Sequence, residues 1–168
     1  TGGGNGAKQI NNLIREIAPD LLELGWGIEH IAGKGKSKGL IETKQNLGDN
    51  CKNWHIEEFT DMLPRIMASD VVVTRTSAST LQECANSKKS VVGIPSPNLL
   101  DQIMNAEYFA SKNAIVYLKE GNLSAAKLKE VIIKLHNDDE QSERLANNLY
   151  NHFSKPNAAK LIAKMITG

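Results

Sequence analysis

Residues 70–85, DVVVTRTSASTLQECA, constrain this chain more than any other stretch. Three consecutive valines read as a strand buried on both faces, the habit of a parallel sheet. A small-residue turn over 74–80 follows, then a helical run over 81–85 with Glu83 in its first turns. A strand that runs straight into a helix through Ser, Ala and Thr places backbone N–H groups where an anion can sit. Glu83 lies near enough to accept hydroxyl hydrogens from whatever carries that anion. Phosphate beside a vicinal diol describes a nucleotide. Thr80-x-x-Glu83 is equally a capping box, a purely structural reason for the same acid.

The rest of the chain alternates in the same manner. Apolar periodicity predicts helices over 9–24, 37–45, 101–110, 124–136, 139–153 and 156–166, and short strands over 28–32, 54–59, 90–94 and 114–118. Asp61 is placed to cap a helix ahead of Pro64. Met62, Met67 and Met104 read as core filler. Such alternation with near-continuous apolar strands implies an α/β fold, a Rossmann-like doubly wound parallel sheet with extra C-terminal helices. With 168 residues, one domain over 1–168 is expected. Because it opens directly on a glycine turn, the chain reads as a fragment whose first strand lies upstream.

Bulk properties exclude several functions. A net charge of +1 gives no field that would draw the chain to nucleic acid or to an anionic membrane. Cys51 and Cys84 lack C-x-x-C spacing and no His pair stands near them, so reduced thiols and no zinc are expected. There is no run of 18 apolar residues and no signal-peptide pattern, which points to the cytoplasm.

Two glycine-rich loops carry phosphate grammar. TGGGNGA, residues 1–7, opens into the first helical run, and Gly2, Gly4 and Ala7 formally fit the dinucleotide pattern G-x-G-x-x-A. That pattern also needs an acid at the end of the next strand, which here ends in Gly33-Lys34, so the ribose acceptor of an NAD site is missing. A glycine turn that only joins strand to helix is the plainer alternative. GKGKSKG, residues 33–39, is not a Walker loop, because the earlier glycine position falls on His30. It reads as a solvated basic loop, with Lys34 or Lys36 leaning toward a diphosphate as the sharper reading. His30 and His55 fall on strands and read as core or edge histidines, not catalysts.

Three blocks in this order resemble one family. TGGGNGAKQIN is similar to the loop GGSxGAxxIN. FTDML followed by ASDVVVTRTSASTLQE is similar to I-x-(D/N)-M and then ADLVVSRAGASTxxE. PSPNLLDQIMNA is similar to P-x-x-x-x-DHQxxNA. Together they resemble the C-terminal, donor-binding half of MurG-type glycosyltransferases (glycosyltransferase family 28, GT-B architecture), over nearly the whole chain. The resemblance implies a UDP-GlcNAc site without cofactor or metal, and the chain holds no D-x-D motif. Glu83 would hold both ribose hydroxyls, and the backbone around Phe59 and Thr60, in the block that includes Met62, would read uracil. Ser77, Ala78, Ser79 and Thr80 would face the diphosphate and sugar, under a loop of Gly3, Gly4, Asn5 and Gly6. Asp101, Gln102 and Asn105 would meet sugar hydroxyls or brace the loop that does.

Three departures bear on that site. Gly4 stands where the family has Ser, Ser77 where it has Gly, and Asp101 where it has His. The implied activity is inverting transfer of GlcNAc to a lipid-linked peptidoglycan precursor. The acceptor site and general base would lie in an absent N-terminal half, and the whole protein would sit peripherally on the inner face of the plasma membrane. A stand-alone donor subunit of a two-chain UDP-GlcNAc transferase and a UDP-sugar epimerase are the alternatives. Nucleic acid is not an expected partner.

Overall fold

The computed structural model describes residues 8–153 and 158–167. In chain order the elements are α1 (Lys8–Glu23), β1 (Ile28–Ile31), α2 (Lys38–Asn46), β2 (Trp54–Glu57), α3 (Met62–Ala68), β3 (Val71–Thr74) and α4 (Ala78–Asn86). They continue with β4 (Ser90–Gly93), α5 (Leu100–Ser111), β5 (Val116–Tyr117), α6 (Ala125–Asn137), α7 (Asp139–Phe153) and α8 (Ala158–Thr167). The expected alternation is present, with β1, β2, β4 and β5 each shorter than the expected strand.

Local chemistry sets the boundaries. In α1, Ile10, Ile14, Ile17 and Leu21 recur at helical spacing and are buried. The helix closes where Gly25 takes φ 82°, its N–H reaching the Leu22 carbonyl while the Trp26 N–H reaches Leu21. This pair of bonds satisfies two of the last helical carbonyls and needs the left-handed residue that glycine supplies. Asp61 caps α3 as expected, accepting from the Leu63 N–H at 3.2 Å, and Ser124 caps α6 by accepting from Lys127 N–H at 3.1 Å.

All strand pairs are parallel. β1 pairs with β2, Ile28 opposite Trp54. Separately, β3, β4 and β5 form a sheet in that order, with Val72 opposite Val91. Helices cover both faces: Ile10, Ile14, Leu40, Val92, Leu128 and Ile132 form one apolar cluster, and Ile66, Val72, Leu81, Val91, Phe109 and Leu149 the other. β4, flanked on both sides, is buried at every residue. β3 departs from the sequence reading: Val72 and Thr74 are buried, whereas Val71 and Val73 are only half-buried. The reason is its place at the border of the three-stranded sheet. Met62 packs against the second cluster, but Met67 and Met104 are exposed and are not core filler.

Candidate functional site at the carboxyl ends of the strands

The turn between β3 and α4 is shorter than its sequence suggests. Helix α4 begins at Ala78, so Ala78, Ser79 and Thr80 form its first turn and do not belong to a loop. Ser77, where the family motif has glycine, takes ordinary extended angles (φ −64°, ψ 144°). The left-handed residue is Thr76, at φ 65°, a conformation that a β-branched side chain adopts only when its surroundings enforce it. Those surroundings are present. Thr76 is fully buried, its hydroxyl donates to the Gln102 carbonyl at 2.7 Å, and its own carbonyl accepts from the Asn105 side-chain amide at 3.1 Å. Gly93 makes room, since a Cβ there would stand 2.6 Å from Thr76 Cγ2.

This clamp aims an uncapped helix start at solvent. The Ser77 side chain makes no cap bond to the α4 backbone; its hydroxyl donates to Thr80 Oγ1 at 3.0 Å. The Ser77 side chain therefore satisfies none of the first helical amides, on a nine-residue helix whose dipole favours negative charge there. Ala78 and Ser79 are exposed and Thr80 is buried.

The same boundary decides what Glu83 does. Ser77 is the N-cap and Thr80 the third helical residue, so Thr80 and Glu83 do not form a capping box. Glu83 is the sixth residue of α4. It is half-buried, and burial first, then the charge of Asp61, push its carboxyl above the ordinary glutamate range. Asp61 is the α3 cap. The Phe59 side chain is 82% exposed.

Beside the turn lies a crevice of about 450 Å³, lined by Lys8, Gln9 and Asn12 of α1, Lys36, Arg75, and the Ser96–Pro97 loop after β4. Its cations come from three elements. The 33–39 loop is not merely solvated: Gly35 N–H and the Ser37 hydroxyl both donate to Glu58, at 2.9 Å and 2.7 Å. Those bonds hold the Glu58 carboxyl below its usual range. The tether places Lys36 on the crevice. Burial lowers the Arg75 guanidinium's pKa, and the charge of Asp101 opposes that shift. Asp101 is exposed in the first turn of α5, whose N-cap is Leu99.

Gln102 and Asn105 are braces. Gln102 is buried, and its Oε1 accepts from the Ser96 N–H at 3.1 Å, while Asn105 holds the Thr76 carbonyl. Met62 is likewise turned into the core. Gly3, Gly4, Asn5 and Gly6 lie outside the described residues. His30 is buried and bonded to Asn11; His55 is exposed on β2. Among the described residues no group of three or more His, Cys, Asp or Glu side chains could hold a metal ion. The motifs assign no role to Arg75 or Thr76, and they give Lys36 one only in the sharper reading of the basic loop. Arg75 and Thr76 directly follow β3, and that position is the local signal for them.

Comparison with known proteins gives one direction. The profile described as "Glycosyltransferase family 28 C-terminal domain" matches residues 1–164. The chain is 33% identical over 170 residues to a Desulfotalea psychrophila protein named UDP-N-acetylglucosamine–N-acetylmuramyl-(pentapeptide) pyrophosphoryl-undecaprenol N-acetylglucosamine transferase, covering 96% of this chain and 45% of that one. A Flavobacterium psychrophilum protein of the same name is 33% identical over 168 residues, covering 98% and 44%. The chain thus spans under half the length of these curated relatives. In fold it is similar to the crystal structure of Acinetobacter baumannii MurG, with a TM-score of 0.76 at 24% identity over 99% of this chain and 48% of that one. A UDP-GlcNAc 2-epimerase from Neisseria meningitidis is less similar, with a TM-score of 0.62 at 18% identity over 98% and 42%.

Proposed function

Because the chain belongs to glycosyltransferase family 28, whose C-terminal domain it carries, we propose that it is the donor half of an inverting transferase that uses UDP-GlcNAc. The observation that carries this reading is the pairing of an uncapped α4 start with Glu83 inside the same helix. The amides of the first turn receive the diphosphate, with Lys36 and Arg75 on the flank of the crevice. Glu83 accepts the two ribose hydroxyls, and the Phe59–Thr60 backbone reads the uracil edge.

When an acceptor hydroxyl attacks the anomeric carbon, the bond to the diphosphate oxygen breaks and negative charge grows on UDP. Fixed N–H groups aimed at that charge stabilise it without rearranging. The acceptor is a lipid-linked peptidoglycan precursor, and the general base comes from an N-terminal half. The whole protein then works at the inner face of the plasma membrane, held there peripherally. No described helix is long and apolar enough to cross a membrane.

Calorimetry with UDP, UDP-GlcNAc, NAD and ATP tests the reading. UDP and UDP-GlcNAc should bind and the other two should not; NAD binding as tightly as UDP would overturn it. Transfer to a lipid-linked acceptor should appear only when an N-terminal half is supplied.

A further inference from the structure

Beside the donor crevice lies a second one, of about 370 Å³, between α1 and the segment that carries the basic loop into α2. Lys8 and Arg15 line it from α1, and Lys36 and Lys38 from the loop and the first residue of α2. We infer that this crevice is a second anion site, which takes a diphosphate group other than the donor's.

The four cations reach it from two walls for local reasons. In α1, Lys8 and Arg15 stand seven residues apart on one face, with Asn11 and Asn12 between them, while Ile10, Ile14 and Ile17 of the same helix are buried. On the opposite wall, Gly33 and Gly35 take φ 87° and 70°, and the Lys36 N–H closes the turn on the Gly33 carbonyl at 3.1 Å. Glu58 then holds this loop through the Gly35 N–H and the Ser37 hydroxyl. The two walls meet at Gly39, where a Cβ would stand 3.3 Å from Arg15 Nη1. A residue without a side chain at that position lets the guanidinium lie against α2.

The charge in the crevice is uncompensated. No carboxylate of the described residues lines it. Glu58, the acid tied to the loop, is engaged by Gly35 and Ser37 and lies under the charge of Lys34. Lys8, Arg15 and Lys38 form no ion pair with another described residue. Lys52, Lys119, Lys127 and Lys129, elsewhere on the surface, each have an acid within 4.0 Å. Like charges gathered in one concavity repel one another, and a bound anion relieves that repulsion.

The donor set describes the anion. A guanidinium fork matches phosphate oxygens two at a time, and ammonium groups add point charges beside it. Four cations call for more negative charge than a single phosphate carries, and a diphosphate supplies it within one small group. Nucleic acid would need an extended basic stripe in place of this local cluster. The two crevices share Lys8, Asn12 and Lys36, so the two diphosphates would lie side by side along a common wall. Calling this site the second rests on the donor reading above.

Calorimetry on the chain saturated with UDP, with inorganic pyrophosphate as the probe, tests the site. Pyrophosphate should bind without displacing UDP. Arg15→Gln and Lys38→Gln should each weaken it about tenfold, the scale of one charge-assisted bond, and leave UDP affinity within about twofold. Lys127→Gln removes the same charge from α6 and should leave pyrophosphate affinity unchanged. Pyrophosphate that fails to bind beside UDP, or that displaces it, overturns the inference. So does an equal loss in Lys127→Gln, or sulfate bound as tightly as pyrophosphate, since either would be a general response to charge. Farnesyl pyrophosphate, kept below its micelle concentration, separates two sources of the group. Tighter binding than pyrophosphate, weakened equally in both variants, assigns the site to the diphosphate head of a polyprenyl chain; equal or weaker binding assigns it to the free ion. If UDP itself does not bind, the donor reading falls, and pyrophosphate titrations of Arg15→Gln and Lys38→Gln still decide this site.

Discussion

The Thr76 hydroxyl donates to the backbone carbonyl of Gln102 across 26 positions of sequence, at 2.7 Å. Through this bond the turn before α4 and the first turns of α5 become one rigid unit. Asn105 adds a second tie to the Thr76 carbonyl, and Gln102 extends the unit to the loop after β4 through Ser96. The left-handed Thr76 backbone, a strain on the order of 1–3 kcal/mol, is maintained by these ties. The α4 amides are thereby aimed before any ligand arrives, which is the economical arrangement for stabilising charge that develops during reaction.

Gly93 and Thr76 should be coupled energetically. Gly93→Ala brings a Cβ to within 2.6 Å of Thr76 Cγ2, and should destabilise the fold by about 1–3 kcal/mol, the usual cost of overpacking. In a Thr76→Ser background, which lacks that methyl group, the same change should cost much less. Urea unfolding of the four proteins measures the coupling, and strictly additive effects would show that the close approach is not the cause.

Asn105→Ala should lower both stability and UDP affinity, the former by about 1 kcal/mol, since it removes a hydrogen bond to the turn. Calorimetry should find UDP and UDP-GlcNAc weakened by the same factor. A side chain that touched only the sugar would leave UDP affinity and thermal stability unchanged.

Glu83→Gln should cost roughly 1–3 kcal/mol of UDP binding, as for hydrogen bonds to a charged group, with little change in melting temperature. The carboxylate accepts and the carboxylic acid does so poorly, so affinity should fall as pH is lowered through the Glu83 pKa. Burial and Asp61 raise that pKa, so the fall should begin above the ordinary glutamate range. Asp61→Asn removes the second cause and should shift the midpoint downward, while Asn remains a competent helix cap. Titrations at several pH values decide both points.

His30 should make stability fall on acidification. It is 3% exposed, with Nε2 and Asn11 Oδ1 at 2.9 Å, and Asn11 Nδ2 in turn donates to the Ala32 carbonyl at 3.0 Å. Asn11 Oδ1 thus accepts from His30 Nε2–H, and the ring is neutral. Burial lowers its pKa from 6.5 to about 3. A histidine with a lowered folded pKa contributes fully above about 6.5 and loses its contribution as pH falls toward 3, at up to about 1.4 kcal/mol per pH unit. Urea midpoints measured between pH 7 and pH 4 should show this slope, reduced in His30→Gln.

The order of the elements and the glycine- and serine-rich turn patterns are legible in the sequence, because both depend on short-range patterns. The valines of 71–73, the apolar face of α1 and the Asp61 and Ser124 caps were legible, since each is a matter of a few neighbouring residues. So was Glu83, as one residue with two readings. Tertiary structure separated them, by starting α4 at Ala78 and so leaving Thr80 and Glu83 outside any cap. It also put the left-handed backbone at Thr76 while Ser77 stays extended, and turned Gln102 and Asn105 inward as braces. These outcomes depend on bonds from Thr76 to Gln102 and Asn105, 26 and 29 positions away, which no local pattern encodes. The parting of the sheet at β1 and β3 belongs to the same class, for it follows from which strands lie side by side.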